Sequence, residues 1–241
     1  VSELDVLYPT RPGENEELRY SLRSLVNLPH RVAVTVGEVP SWCDTYHVNN
    51  PGTGYKAAHA MSNLTLAMDH PDLTEDVVLM NDDFFLMEPV DEIPYYSNGS
   101  LVEFIEQRPT KSDYWRAAKD TLALLADHFG ITDPYAYAIH APIRINRPVF
   151  AEVIRQVRRG AVHLPAPRSA SILLRTVYGN VIGAEPTVVE DFKIYTDTMD
   201  GHWRGMPILS TDDYSFTTHP VGEYVRSAFT EAGSYERAEQ Q

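Results

Sequence analysis

Apolar positions along the chain change their spacing several times, and each change marks an element. Leu4-Asp5-Val6-Leu7-Tyr8 reads as a short strand, which Pro9-Thr10-Arg11-Pro12-Gly13 breaks into a loop. From Glu16 to Asn27 the apolar residues Leu18, Leu22, Leu25 and Val26 recur at the spacing of one helix face, and Pro29 ends that helix. Arg31-Val32-Ala33-Val34-Thr35-Val36 is a β-branched run of strand length, closed by Gly37. His47-Val48-Asn49 reads as a third short strand, followed by a turn at Pro51-Gly52-Thr53-Gly54. Lys56 to Met68 then carries Ala57, Ala60, Met61, Leu64 and Met68 on one helical side. Asp76-Val77-Val78-Leu79-Met80 is apolar on both faces, which predicts a central strand.

This alternation of strand and helix through residue 90 predicts an α/β fold with a mixed, mainly parallel sheet flanked by helices, laid out like a nucleotide-binding half. Beyond it the pattern becomes more helical. Residues 112–130 predict a helix with Asp113 near its start and Gly130 as its stop. Pro148 to Arg159 predicts another, ended by Gly160, and Ser169 to Tyr178 a third. Val188 to Tyr195 reads as a strand, and the tail from Ala232 is polar and expected to be loose. With 241 residues the expectation is a single domain, 1–90 forming a core and 91–241 an acceptor-side part.

Composition adds exclusions. Hydrophobic residues at 43% and charged residues at 22% are ordinary for a globular protein, and no apolar run reaches the length of a membrane span. The first residues lack the basic and apolar regions of a signal peptide, and a lone Cys43 excludes an intrachain disulfide or a multi-cysteine zinc site. A cytoplasmic location is the simplest expectation. Twenty Lys and Arg against thirty-four Asp and Glu give a net charge of −14, which argues against broad binding to nucleic acid. A small polyanion held by a cation and a few basic side chains stays possible.

The chemistry concentrates at Asn81-Asp82-Asp83, which follows the predicted central strand and precedes Phe84-Phe85-Leu86-Met87. Adjacent carboxylates enclosed by apolar flanks repel each other and lose solvation unless a cation neutralises them. Mg²⁺ or Mn²⁺, hard ions preferring oxygen, would do so at the carboxyl end of a strand, where α/β sheets bind ligands. The alternative is a turn that caps the next element.

A hydrophobic strand, Asn-Asp-Asp and Phe-Phe resemble the DXD-type signature of GT-A-fold nucleotide-sugar transferases. The resemblance is closer to the Stealth family of sugar-phosphate transferases and related phage and actinobacterial glycosyltransferase-like proteins. Glu17-Leu18-Arg19-Tyr20-Ser21-Leu22-Arg23-Ser24-Leu25 looks like that family's conserved-region helix, and Pro40-Ser41-Trp42 looks like its Pro-x-Trp. Val78 to Phe85 matches its Asn-Asp-Asp block, and His140-Ala141-Pro142 with Arg175 is similar to its His-x-Pro and downstream Arg. Ile208-Leu209-Ser210-Thr211-Asp212-Asp213 and Phe229 to Glu236 resemble its last region. The chain departs from the family after strand one, where Tyr8-Pro9-Thr10-Arg11-Pro12-Gly13 replaces a Thr-Trp-Val-Asp-Gly-like loop.

The resemblance implies a nucleotide-diphosphate-sugar donor, Mn²⁺ or Mg²⁺, and a hydroxyl acceptor on protein or glycan. It makes Asp83 the first metal ligand, with Asp82 on the ion or the ribose and His219 preferred over His202 as a late histidine ligand. His140 and Arg175 become catalytic or phosphate-contacting residues, and Asp213, of the pair Asp212-Asp213, a general base. Thr10, Arg11, Lys56, Asn63 and Asn81 are candidate donor contacts; Lys56 and Asn63 share one helix face. Each has a plainer reading: a solvated lysine, a snorkelling arginine, a capping aspartate, a structural histidine. Sugar transfer is the first expectation, sugar-1-phosphate transfer the alternative, and a non-catalytic nucleotide-sugar binder the rival class.

Overall fold

A computed structural model describes residues 4–51, 56–107, 112–169, 171–198 and 201–237. The first half runs β1 (Asp5–Pro9), α1 (Glu16–Ser24, continued by a 3₁₀ turn Leu25–Asn27), β2 (Ala33–Gly37), β3 (Tyr46–Asn49), α2 (Lys56–Met68) and β4 (Asp76–Leu79). It continues through β5 (Phe84–Leu86), β6 (Tyr95–Ser97), α3 (Leu101–Gln107), α4 (Asp113–Phe129), β7 (Ile143–Asn146) and α5 (Arg147–Gly160). The last elements are α6 (Ala166–Ser169), α7 (Leu174–Val181), β8 (Pro186–Val188), β9 (Ile208–Ser210), α8 (Asp213–Thr218) and α9 (Pro220–Ala228).

The main sheet has the order β3-β2-β1-β4-β7, its first four strands parallel and β7 antiparallel at the edge. Side-chain alternation divides the core. Leu7, Val34, Val36, Val77 and Leu79 face α2, α4, α5 and α7, whereas Val6, Tyr8, Ala33, Val78 and Met80 face α1. The result is a mixed α/β molecule with a mainly parallel central sheet covered by helices, a Rossmann-like arrangement consistent with the GT-A expectation. Among the described residues, no helix is long and apolar enough to cross a membrane.

The predicted helix ends have causes both local and distant. Ser112 caps α4 by accepting from Trp115 N–H, and Gly130 closes it with a left-handed φ of 70°. Arg147, at the first position of α5, donates to the carbonyls of Thr74, Met68, His70 and Leu73, ending α2 and fixing the loop after it.

Beyond residue 90, Ile143 and Ile145 of β7 complete the sheet beside β4. Two expectations change. The third late helix begins at Leu174, after Leu173 N–H has bonded Thr121 Oγ1 on α4. The strand expected over 188–195 stops at Val188, because the Asp191 carboxylate takes the backbone N–H groups of His140 and Lys193 and breaks the ladder. The turn at Gly52-Thr53-Gly54, the Lys56 side chain and the last four residues of the tail lie outside the described residues.

Candidate active site

The site forms at the carboxyl edge of the main sheet. In the parallel register Leu7 pairs with Leu79, so the loop after β1 and the Asn81-Asp82-Asp83 turn after β4 leave the sheet side by side. Helix α1 then holds the turn from one flank. Its N-cap, Asn15, accepts from Leu18 N–H and donates to Asp82 Oδ2 at 2.5 Å. Ser21 donates to the carbonyl of Phe84, Ser24 Oγ accepts from Leu86 N–H at 3.1 Å, and Asn27 donates to Leu86 O at 2.7 Å. These side chains satisfy one edge of the short β5 as a neighbouring strand would.

The other edge pairs with β9, Phe84 opposite Ser210 and Leu86 opposite Ile208. That register places Thr211 beside Asp83, whose carbonyl accepts from Thr211 N–H at 3.2 Å, and brings the second acidic pair to the first. Asp212 caps α8 in a reciprocal bond with Ser215, its plain reading. Asp213 instead turns to Arg11.

Four acids meet two cations here. Arg11 pairs with Asp82 at 3.2 Å, with Asp213 through a forked contact, and with Glu17 at 3.6 Å. Lys193 Nζ donates to Asp83 Oδ2 at 2.8 Å and to the carbonyl of Thr211. The other carboxylate oxygen of Asp83, Oδ1, is buried with no hydrogen-bond partner. Burial and then the Asp83 charge raise the Asp82 pKa, against the pull of Asn15 and Arg11. Burial, with the neighbouring Asp213, Asp83 and Asp82, pushes Glu17 up to about 8 although Thr211 donates to it.

His140 and Arg175 close the opposite side. Arg175 Nη1 donates to Ala141 O at 2.5 Å and Nη2 to Asn81 Oδ1 at 2.9 Å, with its guanidinium 5.2 Å from the Phe84 ring centre. Burial lowers this guanidinium to about 10, opposed by Asp83, so it stays charged at neutral pH. His140 Nδ1 lies 2.8 Å from Asp191 Oδ2, and its backbone N–H reaches the same carboxylate. Burial works to raise Asp191, but the bonds from His140 and Lys193 outweigh it and hold the acid below its ordinary range. An ionised Asp191 fixes the proton on Nδ1 and leaves Nε2, which bonds nothing among the described residues, as an acceptor. Asp191 and Lys193 stand two residues apart, one on His140 and one on Asp83, and join the two halves of the site.

The other expected residues go elsewhere. Thr10 and Asn63 are buried, and Asn63 Nδ2 holds Thr10 O at 3.0 Å while Asn50 holds its oxygen. Gly37, at φ 129°, is required there, since a Cβ would stand 2.5 Å from Thr10 O. His219 has both ring nitrogens in use, Nδ1 accepting from Val221 N–H to cap α9 and Nε2 on Thr198 O at 2.9 Å. His202 lies exposed next to the buried Trp203. Among the described residues no group of three or more His, Cys, Asp or Glu side chains is arranged to hold a metal ion.

Asp191, Lys193, Glu17 and Asn15 were not singled out from the sequence. The first two carried a readable signal: in an extended segment, residues 191 and 193 share a face while Phe192 and Ile194 bury into the core.

A mainly parallel α/β sheet carries a cluster of acidic and basic side chains at its carboxyl edge, the side on which open α/β sheets hold ligands. No family model matches the chain. It is similar to an exopolysaccharide phosphotransferase of Streptomyces coelicolor, 27% identical over 161 residues, a match covering 57% of this chain and 17% of that relative.

Proposed function

We propose that the chain carries the centre of a sugar-phosphate transferase, moving hexose-1-phosphate from a nucleotide-diphosphate-sugar to a hydroxyl of a polysaccharide. The observation that carries this reading is the His140–Asp191 pair, set beside Arg175 and linked through Lys193 to Asp83. The name of the Streptomyces relative, an exopolysaccharide phosphotransferase, weighs for sugar-phosphate transfer over the sugar transfer expected first.

In this reading the acceptor hydroxyl oxygen attacks the phosphorus that bears the sugar. The bond from that phosphorus to the bridging oxygen breaks, and nucleoside monophosphate leaves with its electrons. The acceptor proton passes to His140 Nε2, the Asp191 carboxylate stabilising the resulting imidazolium. Arg175, held by Ala141 O and Asn81 Oδ1, supplies a fixed positive charge that offsets the charge on the phosphate oxygens.

Mn²⁺ or Mg²⁺ fits the residues present. Such ions keep waters and take substrate phosphates as ligands, so one or two protein carboxylates suffice, and Asp83 Oδ1 is a buried acceptor without a partner. Asp83 and Asp82 would hold the ion, which when bound supplies charge neutralisation at the diphosphate.

Incubation with UDP- and GDP-sugars, Mn²⁺ and a polysaccharide acceptor tests the reading. The expected result is nucleoside monophosphate release with a new phosphodiester in the ³¹P spectrum. Release of nucleoside diphosphate would mean sugar transfer, and unimpaired transfer by a His140→Gln variant would remove the assigned base.

A further inference from the structure

The two cations of the acid cluster are built differently. Lys193 is buried, with 8% of its side chain exposed, and a backbone carbonyl holds it as well as Asp83. Arg11 stands on the loop after β1 with 40% of its side chain exposed, and its guanidinium pairs with carboxylates, those of Glu17, Asp82 and Asp213. One of these, Asp213, is itself 65% exposed, so solvent can replace that contact at little cost. Lys193 cannot leave without stranding buried groups, whereas Arg11 can exchange partners. Its fork lies between Asp82 and Asp213, where it neutralises the acids that a divalent ion would otherwise meet.

The geometry points to Arg11 as an internal counter-ion that is handed over: it holds Asp82, Asp213 and Glu17 until a diphosphate draws it away and opens the acids to a divalent cation. This rests on the metal-assisted reading above. A diphosphate carries more charge than a carboxylate and matches the guanidinium fork with two oxygens, so the exchange has a direction. Cation and donor then enter together, and each strengthens the other by the same factor. The acids are never left both dry and uncompensated.

The test is a Mn²⁺ titration of the full chain, read by the electron paramagnetic resonance signal of free Mn²⁺. It is done alone and with UDP or GDP, corrected for the Mn–nucleotide chelate in solution. The parent is expected to bind Mn²⁺ weakly alone and much more tightly with nucleotide. Arg11→Gln should bind Mn²⁺ alone at least tenfold more tightly than the parent, and its enhancement by nucleotide should fall at least tenfold. Arg11→Lys keeps the charge but cannot fork two acids, so it should fall between them; it decides the matter if the Gln variant does not fold. An Arg11→Gln gain with an unchanged nucleotide enhancement would reduce Arg11 to a simple charge effect and overturn the proposal. So would nucleotide-dependent Mn²⁺ binding in the parent with no gain in the variant, a result that leaves the metal reading standing. No Mn²⁺ binding by any chain, even with nucleotide, would overturn both.

Discussion

The two edges of the main sheet treat buried charge in opposite ways. At the amino edge Asp5 is fully enclosed, yet its carboxylate takes two 2.7 Å bonds from Arg31 and a 2.8 Å bond from Thr74 N–H. Burial works to raise this acid, but Arg31 and Thr74 outweigh it and its pKa is lowered. At the carboxyl edge Asp82 and Glu17 are raised, and Asp83 keeps a buried oxygen without a partner. One edge spends its polar groups on itself, and the other leaves them short of compensation. These under-compensated acids are the ones that the proposed divalent ion would neutralise.

That contrast can be broken in four places. The largest effect is expected for His140→Gln, a loss of about 10³-fold in turnover, measured as nucleoside monophosphate release, with the melting temperature little changed. Asp191→Asn should lose roughly 10²-fold in kcat with KM nearly kept, because an amide donor on Nδ1 moves the proton to Nε2 and removes the acceptor. Equal losses in binding and turnover would mean that Asp191 only holds the loop. At the other edge, Asp5→Asn should cost about 2 kcal/mol in denaturant unfolding and leave the activity of the folded fraction intact. If it abolished activity in folded protein, the division between the edges would fail.

The smallest effect concerns pH. Glu17 has a folded pKa of about 8, above its ordinary carboxyl range, so the folded chain binds more protons than the unfolded one between about pH 4.5 and 8. Its contribution to stability therefore falls as pH rises through that window. Glu17→Gln should remove the fall, so that its melting temperature gains on the parent from pH 5 to pH 8. A difference that stayed constant with pH would show that Glu17 is not protonated in the folded chain.

Legibility in the sequence followed the length of the signal. The central strand Asp76–Leu79 and the helices from Lys56 and Asp113 repeat their apolar pattern often enough to be read, and the second helix has local caps in Ser112 and Gly130. The three-residue β5 and β9 were not legible as a pair, because their partners lie more than a hundred residues apart and α1 supplies half of the bonding. At the site, Asn81-Asp82-Asp83 stood out because adjacent acids after an apolar strand need a counter-charge. The sequence could not say that Arg11 and Lys193 provide one, since both contacts depend on register across distant segments. His140 was found by resemblance and Asp191 was missed, because the contact between them joins segments 51 residues apart.

Arg147 bears on how the chain reaches this state. Its guanidinium closes the end of α2 and the loop to β4 from a position more than seventy residues downstream, and β7 docks just before it. The first ninety residues, though they contain four strands in parallel register, cannot finish their own helix. A nascent chain that has emerged only that far would hold its sheet edge and the α2 carbonyls open until residue 147 arrives. Formation of the sheet is thus tied to a contact of long sequence separation, the kind that slows folding. A fragment ending near residue 90 should stay partly unfolded, however complete its pattern of strands and helices looks.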